Sequence, residues 1–74
     1  MNVGMLWLDD DKHLSLDEKI QRAAEYYRNK YGQAPNICLV NQTMLEAEKK
    51  VGPIQVRPVQ NILRNHFWVG IQAA

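Results

Sequence analysis

Ser15-Leu16-Asp17-Glu18, then Ile20, Ala23, Ala24, Tyr27 and Tyr31 on one stripe, then Gly32: this stretch carries the signals for both ends of a helix. A serine followed three residues later by glutamate is a capping box. The hydroxyl accepts from the amide three residues on, and the glutamate reaches back to the serine amide. Apolar residues at 16, 20, 23, 24, 27 and 31 keep helical spacing, whereas Glu18, Arg22, Glu25 and Asn29 supply a polar outer face. Glu18 and Arg22 form a favourable i,i+4 pair. Gly32 suits a left-handed C-terminal cap, and Pro35 prevents the helix from resuming. The spacing predicts a helix over 16–31.

Working outward, residues 2–9 read as a strand whose two faces are both apolar, Met5 and Trp7 on one and Leu6 and Leu8 on the other. Burial on both faces is the mark of a central strand. The run ends at the turn signal Asp9-Asp10-Asp11. Beyond the helix, residues 36–41 repeat the doubly apolar pattern. Thr43-Met44-Leu45-Glu46 repeats the capping-box spacing and predicts a second, shorter helix over 43–50, ended by Gly52-Pro53. Residues 54–58 alternate as a half-exposed strand, which Pro58 confines to a sheet edge or a strand end. In 66–72, Phe67, Val69 and Ile71 share one face, and His66, Trp68 and Gly70 the other. The order β-α-β-α-β-β implies one small α/β (α+β) domain over 1–74, with a mixed sheet of about four strands. The first two strands would be parallel neighbours joined by a right-handed crossover. The last would pair antiparallel with the first or third.

Length limits what such a domain can do. For 74 residues, burial of apolar surface yields roughly 115 kcal/mol and ordering the chain costs roughly 110 kcal/mol. The terms nearly cancel, so a partner subunit is expected. One long helix covers one face of four strands. Trp68, on the less apolar face of its strand, then needs cover from the short helix or from another chain. The expected assembly is a homodimer or a protein partner, with Trp68, His66 and Trp7 at or near the interface. The longest apolar run, Val3 to Leu8, is too short to span a membrane. A hydrophobic content of 46% is too high for a disordered segment.

Charge and cysteine content narrow the classes further. The net charge of +1 lacks the dense basic footprint of a dedicated nucleic-acid binder, yet residues 1–25 carry −3 and residues 26–74 carry +4. That dipole could orient self-association. One cysteine, Cys38, makes no internal disulfide, and no basic-then-apolar leader follows Met1, so the expected address is the cytoplasm. Cys38, between Ile37 and Leu39 on a strand, reads as a buried inert thiol.

Asp9, Asp10 and Asp11 follow the first strand at its carboxyl end, where open α/β sheets place ligands. Clustered carboxylates there could hold a hard cation such as Mg²⁺ and orient a phosphate, with Asp9 and Asp11 as metal ligands. An apolar strand ending in acids resembles the opening of response-regulator receivers and haloacid-dehalogenase-type phosphatases. That resemblance implies metal-dependent phosphoryl or phosphodiester hydrolysis, but the later strand-terminal lysine of those families has no counterpart here. The plainer reading of the same acids, and of His13 beside them, is a solvated turn before a helix N-terminus. Lys49, Lys50, Arg57 and Arg64 could contact phosphates while a base stacks on Trp68, a weak nucleic-acid surface. A tryptophan on an apolar strand is more often core or interface.

Glu25-Tyr26-Tyr27, Lys30-Tyr31-Gly32, Pro35-Asn36 and His66-Phe67-Trp68-Val69-Gly70 together resemble short uncharacterised prokaryotic proteins. The resemblance spans most of the chain and brings no catalytic motif. It implies a free-standing small protein. No cofactor is expected outside the Mg²⁺ of the hydrolase reading. The expected function is a non-catalytic protein-interaction or regulatory module.

Overall fold

The computed structural model describes residues 3–72. Helix α1 spans Leu16–Tyr31, as its caps dictate. The Ser15 hydroxyl accepts from the Glu18 amide at 3.2 Å, and Glu18 Oε1 accepts from the Ser15 amide at 3.2 Å. Gly32 closes the helix with φ 77°, its N–H donating to the Arg28 carbonyl at 2.8 Å. Ile20, Ala23 and Tyr27 are wholly buried, so the apolar stripe faces the sheet. Lys19 is buried too, which places its aliphatic stem along the apolar surface. Ser15→Ala is expected to cost ~1 kcal/mol through one lost cap, lowering Tm by roughly 4–8 °C. A thermal melt within a degree of the parent would contradict the observed capping geometry.

Five strands form one mixed sheet: β1 (Val3–Leu8), β2 (Ile37–Asn41), β3 (Lys49–Val51), β4 (Ile54–Val59) and β5 (His66–Ile71), in spatial order β1-β5-β2-β4-β3. β2 and β4 are parallel, and the remaining pairs are antiparallel. This α/β arrangement departs from the expected one in three ways. First, β1 is an edge strand and not a central one. Second, β1 and β2 run in the same direction but are not neighbours, because β5 is inserted between them. Third, the described residues hold one helix and not two, and the extra element is a strand.

The missing helix has a local cause. Asn41 Oδ1 accepts from both the amide and the hydroxyl of Thr43. The threonine therefore donates its side chain backwards instead of capping a helix ahead of it. Only about eight residues were available, too few to offset helix nucleation. Gly52-Pro53 is not a helix stop but a two-residue hairpin turn that pairs Val51 with Ile54. Gly52 has φ 59°, and proline holds φ near −65°, which is the type II′ pattern that suits strand twist. Pro58 lies within β4, an inner strand. The Gln55 amide reaches the Asn36 carbonyl and the Gln42 amide reaches the Val59 carbonyl. By alternation Pro58 faces the side of β3, which ends at Lys49 opposite Val56. Its absent N–H breaks no ladder bond.

Under α1 the core is Cys38, Val40, Val51, Ile54, Val56, Phe67 and Val69, all buried, with Met5, Trp7, Met44 and Leu45 packed at its margin. Among the described residues no helix is long and apolar enough to cross a membrane.

Candidate functional site

Alternation along the strands sends every second residue to the side away from α1. There the register builds one row across four strands: Leu6 opposite Trp68, Trp68 opposite Leu39, Leu39 opposite Arg57. Leu8 stands opposite His66 at one end of this row, and Gly4 opposite Gly70 at the other. Leu6 and Leu8 are each 59% exposed, and Trp68 and Leu39 are half-buried. Trp68 gains its cover from Gly4. A Cβ at that position would lie 2.2 Å from Trp68 Cζ2, so the indole rests directly on the glycine backbone. The sequence reading anticipated the facing of Trp68 but not Leu6, Leu8 or Leu39. Two-faced apolarity in β1 suggested burial on both sides, where the structure leaves one side open.

The polar rim is sparse. His66 Nδ1 lies 2.9 Å from the Arg64 carbonyl, and a carbonyl only accepts, so Nδ1 carries the proton. Arg57 Nε lies 3.1 Å from Glu48 Oε1, an ion-pair distance, although the N–H is not aligned for a hydrogen bond. Trp7, expected near the interface, is on the helix side. Its ring packs on Tyr26 with centroids 4.7 Å apart, and its buried Nε1 has no hydrogen-bond partner among the described residues. A small pocket of about 190 Å³ opens beside it, next to Arg22, Glu25 and Asn29.

The basic residues are not gathered. Lys49 and Lys50 are adjacent on a strand and point to opposite faces. Lys49 pairs with Asp17 on α1, whereas Lys50 is opposite Gln55 on the open side. Arg57 shares the Trp68 row, and Arg64 is exposed in the loop before β5. The acids are occupied locally. Asp9 Oδ1 accepts from the Asp11 amide at 3.1 Å and Asp11 Oδ1 from the His13 amide at 2.8 Å, successive side-chain turns that stop β1. Asp10 is exposed. Among the described residues no group of three His, Cys, Asp or Glu side chains is placed to hold a metal ion. A larger groove of about 450 Å³ runs between α1 and the β3–β4 hairpin, lined by Ala24, Glu25, Arg28, Val51, Pro53 and Ile54. None of the candidate catalytic, metal, interface or nucleic-acid residues read from the sequence lines it.

Cys38 is wholly buried between Val69 and Val56, and burial pushes its thiol up to about 12. The native protein is therefore expected to resist a thiol reagent at pH 8 and to react only on unfolding. The raised value also has a stability consequence. Above pH ~9 the unfolded chain releases the proton first, so stability falls with rising pH toward 12 by up to ~1.4 kcal/mol per pH unit. Cys38→Ala removes the thiol's part of that slope and leaves the part from the Tyr27 hydroxyl, which burial also raises, and denaturant melts at pH 8 and 10.5 measure the difference.

No protein family, curated protein or solved structure matches the chain.

Proposed function

We propose that this chain is a non-catalytic interaction module that acts as a homodimer, with its working surface on the side of the sheet away from α1. One observation supports this above others: the apolar row Leu6, Trp68, Leu39 on the side away from α1, in which Trp68 and Leu39 are half-buried and Leu6, with the adjacent Leu8, is 59% exposed. Scattered exposed leucines are ordinary, but a contiguous stripe on a sheet face marks an interaction site. The stripe carries few charges, Arg57 and Lys50 lying only at its far margin, as the core of an interface requires. The paired turns at Asp9 and Asp11 and the scattered lysines support a solvated surface better than a hydrolytic or nucleic-acid site.

Sedimentation of the full chain at micromolar concentration tests the reading. A two-chain mass is expected, and Leu8→Lys should shift it toward a single chain with an unchanged far-UV circular dichroism spectrum, because Leu8 contributes little to the core, and with a lower Tm, because the partner's stabilisation is lost. A single-chain mass for the parent throughout the micromolar range removes the proposal.

A further inference from the structure

The two edges of the sheet are built differently. β3 closes one side with three residues, two of them lysines, a common protection against a further strand. β1 closes the other with six residues, Val3–Leu8, which include no charge and no proline. Its free backbone groups follow from the register. The Asp9 amide donates to the Asn65 carbonyl at 2.9 Å, in line with the register that pairs Leu8 with His66. Bonded and non-bonded pairs alternate along an antiparallel ladder. Val3, Met5 and Trp7 therefore bond inward to β5, and Gly4, Leu6 and Leu8 aim their N–H and C=O groups out of the sheet.

We infer that this edge is filled by the same edge of a second copy, the two β1 strands pairing antiparallel about a two-fold axis at Leu6. The inference rests on the homodimer reading above and puts the contact between copies at the β1 edge of the open face, so that the joined stripe itself stays exposed in the pair. In this register Leu6 meets the second copy's Leu6, and Gly4 meets Leu8 in both directions. All three outward-facing residues then exchange backbone hydrogen bonds, and none is left over. On the open side the two Leu6–Trp68–Leu39 rows join into one stripe. Each Leu8 comes beside the other copy's Gly4, next to the indole that covers it. The charges favour the same direction. Antiparallel pairing places the two Asp9 residues at opposite ends of the seam, about 20 Å apart and beyond the screening length. Parallel pairing would set the two acidic turns side by side.

Leu6→Pro separates edge pairing from any other contact. Proline at 6 loses only an outward N–H, so the β1–β5 ladder stays whole, and extended backbone at an edge accepts proline. The expected result is a native circular dichroism spectrum with dimer affinity weakened by about a hundredfold or more. A second variant covers the case in which Leu6→Pro does not fold. Leu6→Cys should form a disulfide-linked dimer on mild oxidation, because facing Cα atoms at an antiparallel bonded pair are about 5.5 Å apart. Leu8→Cys should not, because residue 8 faces residue 4. A dimer of parent affinity in Leu6→Pro, or equal cross-linking through residues 6 and 8, overturns the edge geometry and leaves the homodimer reading standing. A parent chain that sediments as a single chain overturns both.

Discussion

Phe67→Ala is expected to cost ~3–5 kcal/mol, the usual loss for removing a buried aromatic ring from a core. Phe67 is wholly buried and bridges two neighbours on β5, opposite Trp7 on one side and Val40 on the other. It also belongs to the cluster with Ile20, Ala23 and Tyr27 of α1, so the ring joins the helix to the sheet. A domain of this size has roughly 4–11 kcal/mol of total stability. The loss is therefore about a quarter of it or more and should lower Tm by roughly 12–40 °C. Denaturant melts measure the effect, and Leu63→Ala is the control. Leu63 is 72% exposed, and its truncation should stay within about 0.5 kcal/mol of the parent. A Phe67→Ala loss under 1 kcal/mol would mean that helix and sheet do not meet around this ring.

Gly4→Ala is expected to destabilise by ~1–3 kcal/mol, the range for inserting a methyl into filled space. The sign is the diagnostic part. Glycine inside a regular strand ordinarily costs stability relative to alanine, so a neutral packing environment would give a gain. Here the new Cβ would stand 2.2, 2.5 and 2.8 Å from three atoms of the Trp68 indole, Cζ2, Cε2 and Cη2. The ring must swing away, exposing apolar surface on the open side. The Trp68 indole N–H resonance should move in Gly4→Ala while the Trp7 resonance stays. In a Trp68→Ala background the same substitution should lose most of its cost, a coupling that a double-mutant cycle reads directly. An unshifted Trp68 resonance, or a net gain in stability, would show that the indole does not lie on Gly4.

These two substitutions mark how far the sequence could be read. Phe67 was legible as a core residue because 66–72 alternates, and a two-residue period needs only its own segment to be recognised. The stacking of Trp68 on Gly4 was not legible. The two residues are far apart in the chain, and only the β1–β5 register brings them to one face. The second half of the candidate site had the same difficulty. Lys49 and Lys50 read as one basic pair on a helix, and the strand that replaced it turned them to opposite sides.

The sequence by itself determined the helix, including both its ends, because capping box, apolar stripe and left-handed glycine all act within a few residues of one another. It also determined which residues of β1, β2, β4 and β5 share a face. Tertiary structure decided the strand order, the insertion of β5 between β1 and β2, and hence the placement of β1 at an open edge. Between helix and hairpin for residues 43–54, a local contact and a strand pairing decided together. There the Thr43 capping pattern was overridden by Asn41 at close range, and the pairing of Lys49–Val51 with Ile54–Val56 decided the rest. The reason is one of range. Caps and periods are local interactions summed along the chain, whereas strand order is set by which distant pairings best cover the helix stripe, and no single segment carries that information.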